Sequence, residues 1–537
     1  MMRMNRRDVL KLAAQSAVFA QLAPIFTAPA QAAGKKELRY IPEADLNILD
    51  PVWSTSTIVA VYGHMVFDTL YGFDKDYNVH PQMAEGHSVS DDKLQWTVKL
   101  RDGLQFHDGQ PVLAKDCVAS IQRWGKRDFM GSALLSVVET LTAVDDRTLQ
   151  FKLKKPFPLL PMTLATSGSN MPAMMPERLA QTSPNEQVRE SIGSGPYRFV
   201  KEEWVSGSKA VFEKFAGYKP RSDSFPPSYT AGPKIAHFDR VVWNIIADAS
   251  TAAAALQAGE VDIIEMVGAD FLPVLKAEPS VQLLPRSTPN FAIMRFNHLQ
   301  PPFNNPAIRQ ALLKAIDQRA IMAGTFGEEN KAFWQFGVGY FSPDSPMANK
   351  AGLEAFTSPR DFKKAAAEIK AAGYDGEPVV VLDPVDYPWT HPCTLLAADT
   401  LKKVGLNVDI QAMDWGTLMQ RRQSQEPPGK GGWNIFLTAL SGMSNFNPVG
   451  HIGLRGNGKD AWVGWPTAPR LEELRQQWLD APDEAAQKKI CEEIQKQALV
   501  DVPYIPLGAF ATVSGYSNNL TDIQLQRPLF TTMKTKG

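Results

Sequence analysis

Few stretches of this 537-residue chain carry residue types that could do chemistry, and most fail at the residue that would matter. Ser206-Gly207-Ser208-Lys209 has the spacing of a serine nucleophile with a lysine base. The K-T-G and S-D-N companions of that pattern are absent, however, and the four residues read as the turn of a hairpin, "WVSGSKAVFEKF". The stretch "GLRGNGKD", 453–460, approaches a phosphate-binding loop. Asp460 stands where a Ser or Thr should hold magnesium, and no strand leads into it. His107-Asp108 has the look of a metal-binding pair, but it sits in an Asp-Gly turn and reads as a solvated histidine. The eight histidines do not cluster. Neither G-x-S-x-G nor H-E-x-x-H occurs. One stretch survives, "WNIFLTALSGMSNFNP" at 433–448: an apolar run that ends in an uncharged loop of Ser, Asn, Met and Phe. Uncharged polar groups at a strand end suit contact with a bound molecule better than solvation.

The elements that must position this loop are legible. In "FNNPAIRQALLKAIDQ" an Asn precedes Pro306, and Ile308, Ala311, Leu312, Ala315 and Ile316 recur at helical spacing. In "SPRDFKKAAAEIKAAGYDG", Ser358 is expected to cap a helix that Pro359 opens and Gly373 closes. A strand "PVVVLDP", a helix over 392–404 closed by Gly405, a strand "LNVDIQAMD", a helix "WGTLMQRRQ" and the strand "NIFLTAL" follow. That alternation predicts right-handed crossovers and a largely parallel sheet. Ligands of open α/β sheets lie beyond the carboxyl ends of the strands. The ends at 383–389, 414–415 and 441–447 should therefore share one side, presenting Tyr387, Trp389, Trp415, Ser441, Met443, Ser444, Asn445, Phe446 and Asn447 to a cleft. The N-terminal half reads as α+β. "QWTVKLRDGLQFHDG" alternates as a strand with turns at Asp102-Gly103 and Asp108-Gly109, and "TAAAALQAGEVDIIEM" is a helix closed by Gly259 with a strand after it.

Balanced charge, 56 basic against 57 acidic residues, argues against a nucleic-acid binder. The three cysteines, Cys117, Cys393 and Cys491, provide no disulfide framework and no paired metal ligands, and no cofactor is expected. The first 32 residues have a basic opening, a mildly apolar middle and the ending Ala30-Gln31-Ala32, an export signal with an A-x-A cleavage site. Arg6-Arg7 gives it the twin-arginine form. A soluble, exported, monomeric protein of the periplasm is expected.

Ordered blocks then carry a family resemblance. "LRDGLQFHDGQPVLAKD" at 100–116, "LDP" at 49–51, "FDTLYGFD" at 67–74, "GSGPYRF" at 193–199 and "ALQAGEVDI" at 255–263 resemble those of the family 5 extracellular solute-binding proteins of ABC importers, the dipeptide and oligopeptide binders among them. The resemblance runs from about residue 37 to 525. It implies an α/β, two-lobed periplasmic binding protein fold with mixed sheets, a hinge and an additional N-terminal α+β subdomain. Lobe I would comprise 33–70, 190–285 and 503–537, the inserted subdomain 71–189, and lobe II 286–502, with the chain crossing at 286–292 and 502–508. It also implies that Trp53, Ser54 and Thr55, after "LDP", face the ligand. The implied function is non-catalytic: capture of a peptide-like or amino-acid-derived small solute for an inner-membrane ABC permease. A secreted hydrolase is the alternative. One departure stands out. Peptide-binding members hold the ligand's ammonium with an Asp four residues before a Pro; here Pro448 follows Ser444, and no acid lies in 438–450. A neutral or anionic solute is therefore expected, unless Asp386 or Asp414 at neighbouring strand ends takes the ammonium.

Overall fold

The computed structural model describes residues 36–166, 170–222, 225–343, 345–443, 445–524 and 530–536. The export signal and Ser444 lie outside the described residues. Glu37–Gly537 forms one unit built on three principal sheets, and the sheets follow from local signals that mostly match those read above. Asn305 caps the helix Pro306–Ala315 by accepting from the Ala307 N–H at 2.9 Å, and the apolar stripe on that helix is buried. Helix Phe362–Ala371 is capped by Asp361, whose carboxylate accepts from the Lys364 N–H at 2.9 Å, and not by Ser358. Ser358 instead ends a preceding short helix, Glu354–Thr357.

The seven-stranded sheet runs in the order Val281–Pro285, Val513–Ser517, Ile263–Ile264, Glu37–Ile41, Arg240–Asn244, Lys209–Lys214, Tyr197–Phe199. The six-stranded sheet has Trp334–Gln335, Tyr504–Phe510, Asn290–Phe296, Ile435–Ser441, Pro378–Pro384 and Asn407–Met413. Here Pro378–Pro384 is parallel to both Asn407–Met413 and Ile435–Ser441, as the strand–helix alternation requires. Asn290–Phe296 and Trp334–Gln335 run antiparallel to their neighbours, so the sheet is mixed where a largely parallel one was expected. The difference comes from strands contributed by distant parts of the chain, which no crossover helix constrains.

The chain passes between these sheets at two places. One is 286–289, between Pro285 and Asn290. The other is 511–512, because Tyr504–Phe510 pairs along Asn290–Phe296 and belongs to the six-stranded sheet. An antiparallel four-stranded sheet, Ala84–Val89, Gln95–Leu100, Thr148–Leu153 and Val138–Asp145, supplies the α+β insertion with helix Ala114–Trp124. It shares one continuous core with the seven-stranded sheet, from Leu38 and Trp243 to Val98 and Phe151. Among the described residues no helix is long and apolar enough to cross a membrane.

Candidate functional site

Asp50 of the "LDP" block shapes the first wall of the site. Its buried carboxylate pairs with the Arg123 guanidinium at 2.6 Å and accepts from the N–H groups of Val52 and Val188 at 3.0 and 2.9 Å. Its carbonyl accepts from Trp53 and Ser54 N–H. This folds residues 51–54 into a tight turn that leads to helix Thr57–Val66. Trp53, Ser54 and Thr55 consequently line a cavity of about 1070 Å³. Arg127 steadies Trp53, donating to its carbonyl at 3.2 Å with the guanidinium 5.5 Å from the ring centroid.

The opposite wall comes from the strand ends of the six-stranded sheet. Tyr387, after Pro378–Pro384, and Trp415, after Asn407–Met413, stack with centroids 4.6 Å apart and planes 16° from parallel. Both line the cavity. Asp386 ties the two loops together, its carboxylate accepting from the Trp415 N–H at 2.7 Å, and burial raises its pKa. Asp414 caps helix Trp415–Arg421 through the Thr417 N–H at 2.9 Å; its hydrogen bonds from Thr417 lower its pKa. An inner recess of about 80 Å³ continues from the cavity and is lined by Ser441, Trp389, Tyr387 and Thr438. Trp389 is itself mostly core, packed on Phe510 at 4.8 Å.

Met443, Asn445, Phe446 and Asn447 take another course. Met443 and Phe446 are buried in the core shared by the seven-stranded sheet and the insertion. The Phe446 ring lies 5.6 Å from Phe73 and 5.0 Å from Tyr77. Asn447 turns its Oδ1 onto the N–H groups of Val449 and Gly450 at 3.0 and 2.8 Å. Asn445 is fully buried, and both polar atoms of its amide lack partners among the described residues. These four residues are not among those lining the cavity. The loop is uncharged because it plugs into the opposing core, where a charge would be costly to desolvate.

Sequence reasoning passed over several wall residues. Glu43 and Asp45 line the cavity, as do Asp386 and Asp414, so the wall as a whole is not uncharged. Glu43 and Asp45 follow strand Glu37–Ile41 directly, and the strand-end rule applied to that strand would have found them. Arg422, in "QRRQ", also lines the cavity, and no spacing in the sequence singles it out. His107 is packed and not solvated. Its Nδ1 accepts from the Gly193 N–H at 3.4 Å, its Nε2–H donates to the Gly195 carbonyl at 3.0 Å, and burial lowers its pKa to about 4.

Comparison with known proteins gives this geometry a family context. The model described as bacterial extracellular solute-binding proteins, family 5 middle, matches residues 78–458. A probable peptide ABC transporter periplasmic-binding protein of Sinorhizobium fredii is 36% identical over 526 residues, covering 97% of each chain. A glutathione-binding protein of Pectobacterium atrosepticum is 27% identical, covering 88% of each. A periplasmic binding protein from A. tumefaciens R10, solved with agropinic acid, superposes with a TM-score of 0.78 at 22% identity, covering 93% of this chain and 99% of that one. A Helicobacter pylori periplasmic binding protein solved with a peptide gives 0.77 at 20% identity, covering 94% and 99%. These two likenesses concern the fold.

Proposed function

Because the chain belongs to family 5 of the bacterial extracellular solute-binding proteins, we propose that its cavity captures a peptide-like or amino-acid-derived solute for delivery to an inner-membrane ABC permease. Membership makes it a solute-binding protein rather than an enzyme. The observation that carries the reading of the site is the cavity of about 1070 Å³. Residues that follow the seven-stranded sheet's strands form one wall, and strand ends of the six-stranded sheet form the other. That volume accommodates a solute of a few residues, and the stacked Tyr387–Trp415 pair offers a flat apolar face with polar groups around it. The peptide-binder name of the Sinorhizobium fredii relative supports the solute class.

In this reading the strand crossings at 286–289 and 511–512 are hinges. Lobe II runs between them, and lobe I is made of 33–70, 190–285 and the chain beyond 512, with 71–189 inserted. Trp53, Ser54 and Thr55 contact the solute from lobe I, and Tyr387, Trp415 and Ser441 from lobe II. Residues 1–32 direct twin-arginine export and are cleaved after Ala32, which places the mature protein in the periplasm.

Titration calorimetry with di- and tripeptides, their N-acetylated forms, amino-acid conjugates and neutral sugars tests the solute class. Saturable binding of one peptide-like class at one site, without consumption of the ligand, is expected. Trp415→Ala should weaken it about tenfold, the scale of a well-packed aromatic contact. Loss of affinity on N-acetylation would identify Glu43, Asp45, Asp386 or Asp414 as holding an ammonium. Binding of sugars alone would overturn the peptide-like reading.

A further inference from the structure

Arg422 is a buried cation for which the described residues supply no acceptor. It ends helix Trp415–Arg421, is 8% exposed, and lines both the large cavity and the inner recess. Its guanidinium lies over two aromatic faces, 5.8 Å from the Phe436 centroid and 5.6 Å from that of Trp462. Nε is sealed from solvent and has no hydrogen-bond partner among the described residues.

The four other arginines buried to this degree among the described residues are all satisfied. Arg123 forks onto the Asp50 carboxylate. Arg295 donates to the carbonyls of Val463, Gly453, Pro503 and Trp462, and Arg309 to those of Val502, Phe303 and Asp501. Arg475 meets Glu472 and the carbonyls of Pro448 and Val449. Burial alone lowers the Arg422 pKa, to about 10, with no carboxylate offsetting it, so the side chain remains charged at neutral pH. A desolvated guanidinium without an acceptor weakens a fold. This one stands where a solute would reach it, held in orientation by Phe436 and Trp462.

We propose that Arg422 is the carboxylate-binding subsite of the cavity, its planar fork taking a free carboxylate of a peptide-like solute or amino-acid conjugate. The inference rests on the reading of the cavity as the solute site, and it narrows the solute class to one with an anionic end. Guanidinium and carboxylate match in charge and in two-pronged geometry, and the recess of about 80 Å³ beside Arg422 has room for such a group.

The test uses the mature protein, its R422M and R422K variants and two probe pairs. The first pair is sodium acetate against sodium chloride at matched ionic strength, with acetamide as the neutral control, followed by thermal unfolding. Acetate should protect the wild type beyond chloride and acetamide, and this difference should vanish in R422M. Ligand-free R422M should melt no lower than wild type, because the cation it lacks had no acceptor among the described residues and Met keeps an apolar contact with Phe436 and Trp462. The second pair is N-acetyl-trialanine against its C-terminal amide. The wild type should favour the acid about 10- to 100-fold, the scale of a charge-assisted hydrogen bond to a buried partner, and R422M should bind the two alike. Equal response of wild type and R422M to acetate, or an amide bound as well as its acid, overturns the assignment. Loss of fold in both variants assigns Arg422 a structural role and overturns it too. If neither tripeptide binds while acetate still protects the wild type alone, the carboxylate subsite stands and the peptide reading of the cavity falls.

Discussion

His451 is fully buried; its Nε2 lies 2.9 Å from the Tyr340 carbonyl and 3.0 Å from the Tyr504 hydroxyl, and its Nδ1 has no partner among the described residues. Desolvation is the largest influence on the ring and lowers its pKa to about 3. The unfolded chain takes up this proton near pH 6.5 and the folded chain near pH 3. Between those values only the unfolded state gains the proton, so the group's stabilisation is complete above about pH 6.5 and is lost as pH falls, at about 1.4 kcal/mol per pH unit. His107, lowered to about 4, acts in the same direction over a shorter interval. Urea unfolding from about pH 7 to about pH 5 should show declining stability. His451→Gln should be less stable at neutral pH and should lose about one proton's worth of that slope; an unchanged slope would assign it elsewhere. Individual roles were unevenly legible in the sequence. Tyr387 and Trp415 could be placed on a wall because strand ends share a side. Phe446 could not be separated from them, since an aromatic at a strand end serves a cleft or an opposing core equally well. His107 read as solvated because its partners, Gly193 and Gly195, lie far away in sequence.

Helix caps allow a comparison between two elements with one chemistry. Asp361 and Asp414 each accept from the backbone N–H three residues on, at 2.9 Å. Only the helix that Asp414 caps carries cavity residues, Trp415 among them. Asp361→Ala should cost about 1 kcal/mol of stability, the usual value of an N-cap, with solute affinity unchanged. Asp414→Ala should cost about the same and also weaken binding by several-fold, through loss of order at Trp415 and of a carboxylate on the wall. Urea unfolding with calorimetry on the best-bound peptide separates the two effects, and equal affinity in both variants would remove that helix from the site. The alternation of strands and helices from Pro378 to Ser441 could be read directly, because period 2 and period 3.6 are local patterns. The cap of Phe362–Ala371 was misplaced by three residues, because Ser358-Pro359 is an equally good opening signal and Asp361 prevails through its hydrogen bond to the Lys364 N–H.

At the scale of the molecule, the cavity between the two large sheets and the short crossings at 286–289 and 511–512 favour closure by rotation about those segments. A buried ion pair, Arg286 with Glu265, sits at the first crossing. Small-angle scattering should show a smaller radius of gyration at saturation with a tightly bound peptide, and an unchanged radius would count against hinge closure. Export makes a separate prediction: changing Arg6 and Arg7 together to Lys should hold the protein in the cytoplasm, whereas a normal periplasmic yield would place the signal in the general secretory class.

From the sequence alone come the α/β class, the family and the parallel run of three strands. All of these rest on neighbouring residues or on blocks retained in order. Tertiary structure alone decides which sheet receives Tyr504–Phe510, because that strand pairs with Asn290–Phe296 some two hundred residues earlier. It also decides that Met443 and Phe446 after Ile435–Ser441 fill a core, since Phe73 and Tyr77, which bury Phe446, belong to a distant block. And it decides that, of five deeply buried arginines among the described residues, Arg422 is left without an acceptor there. A side chain's own spacing records the face it lies on, but what opposes that face depends on how remote segments pack, and that contact determines whether a ring is core or wall and whether a charge is paired.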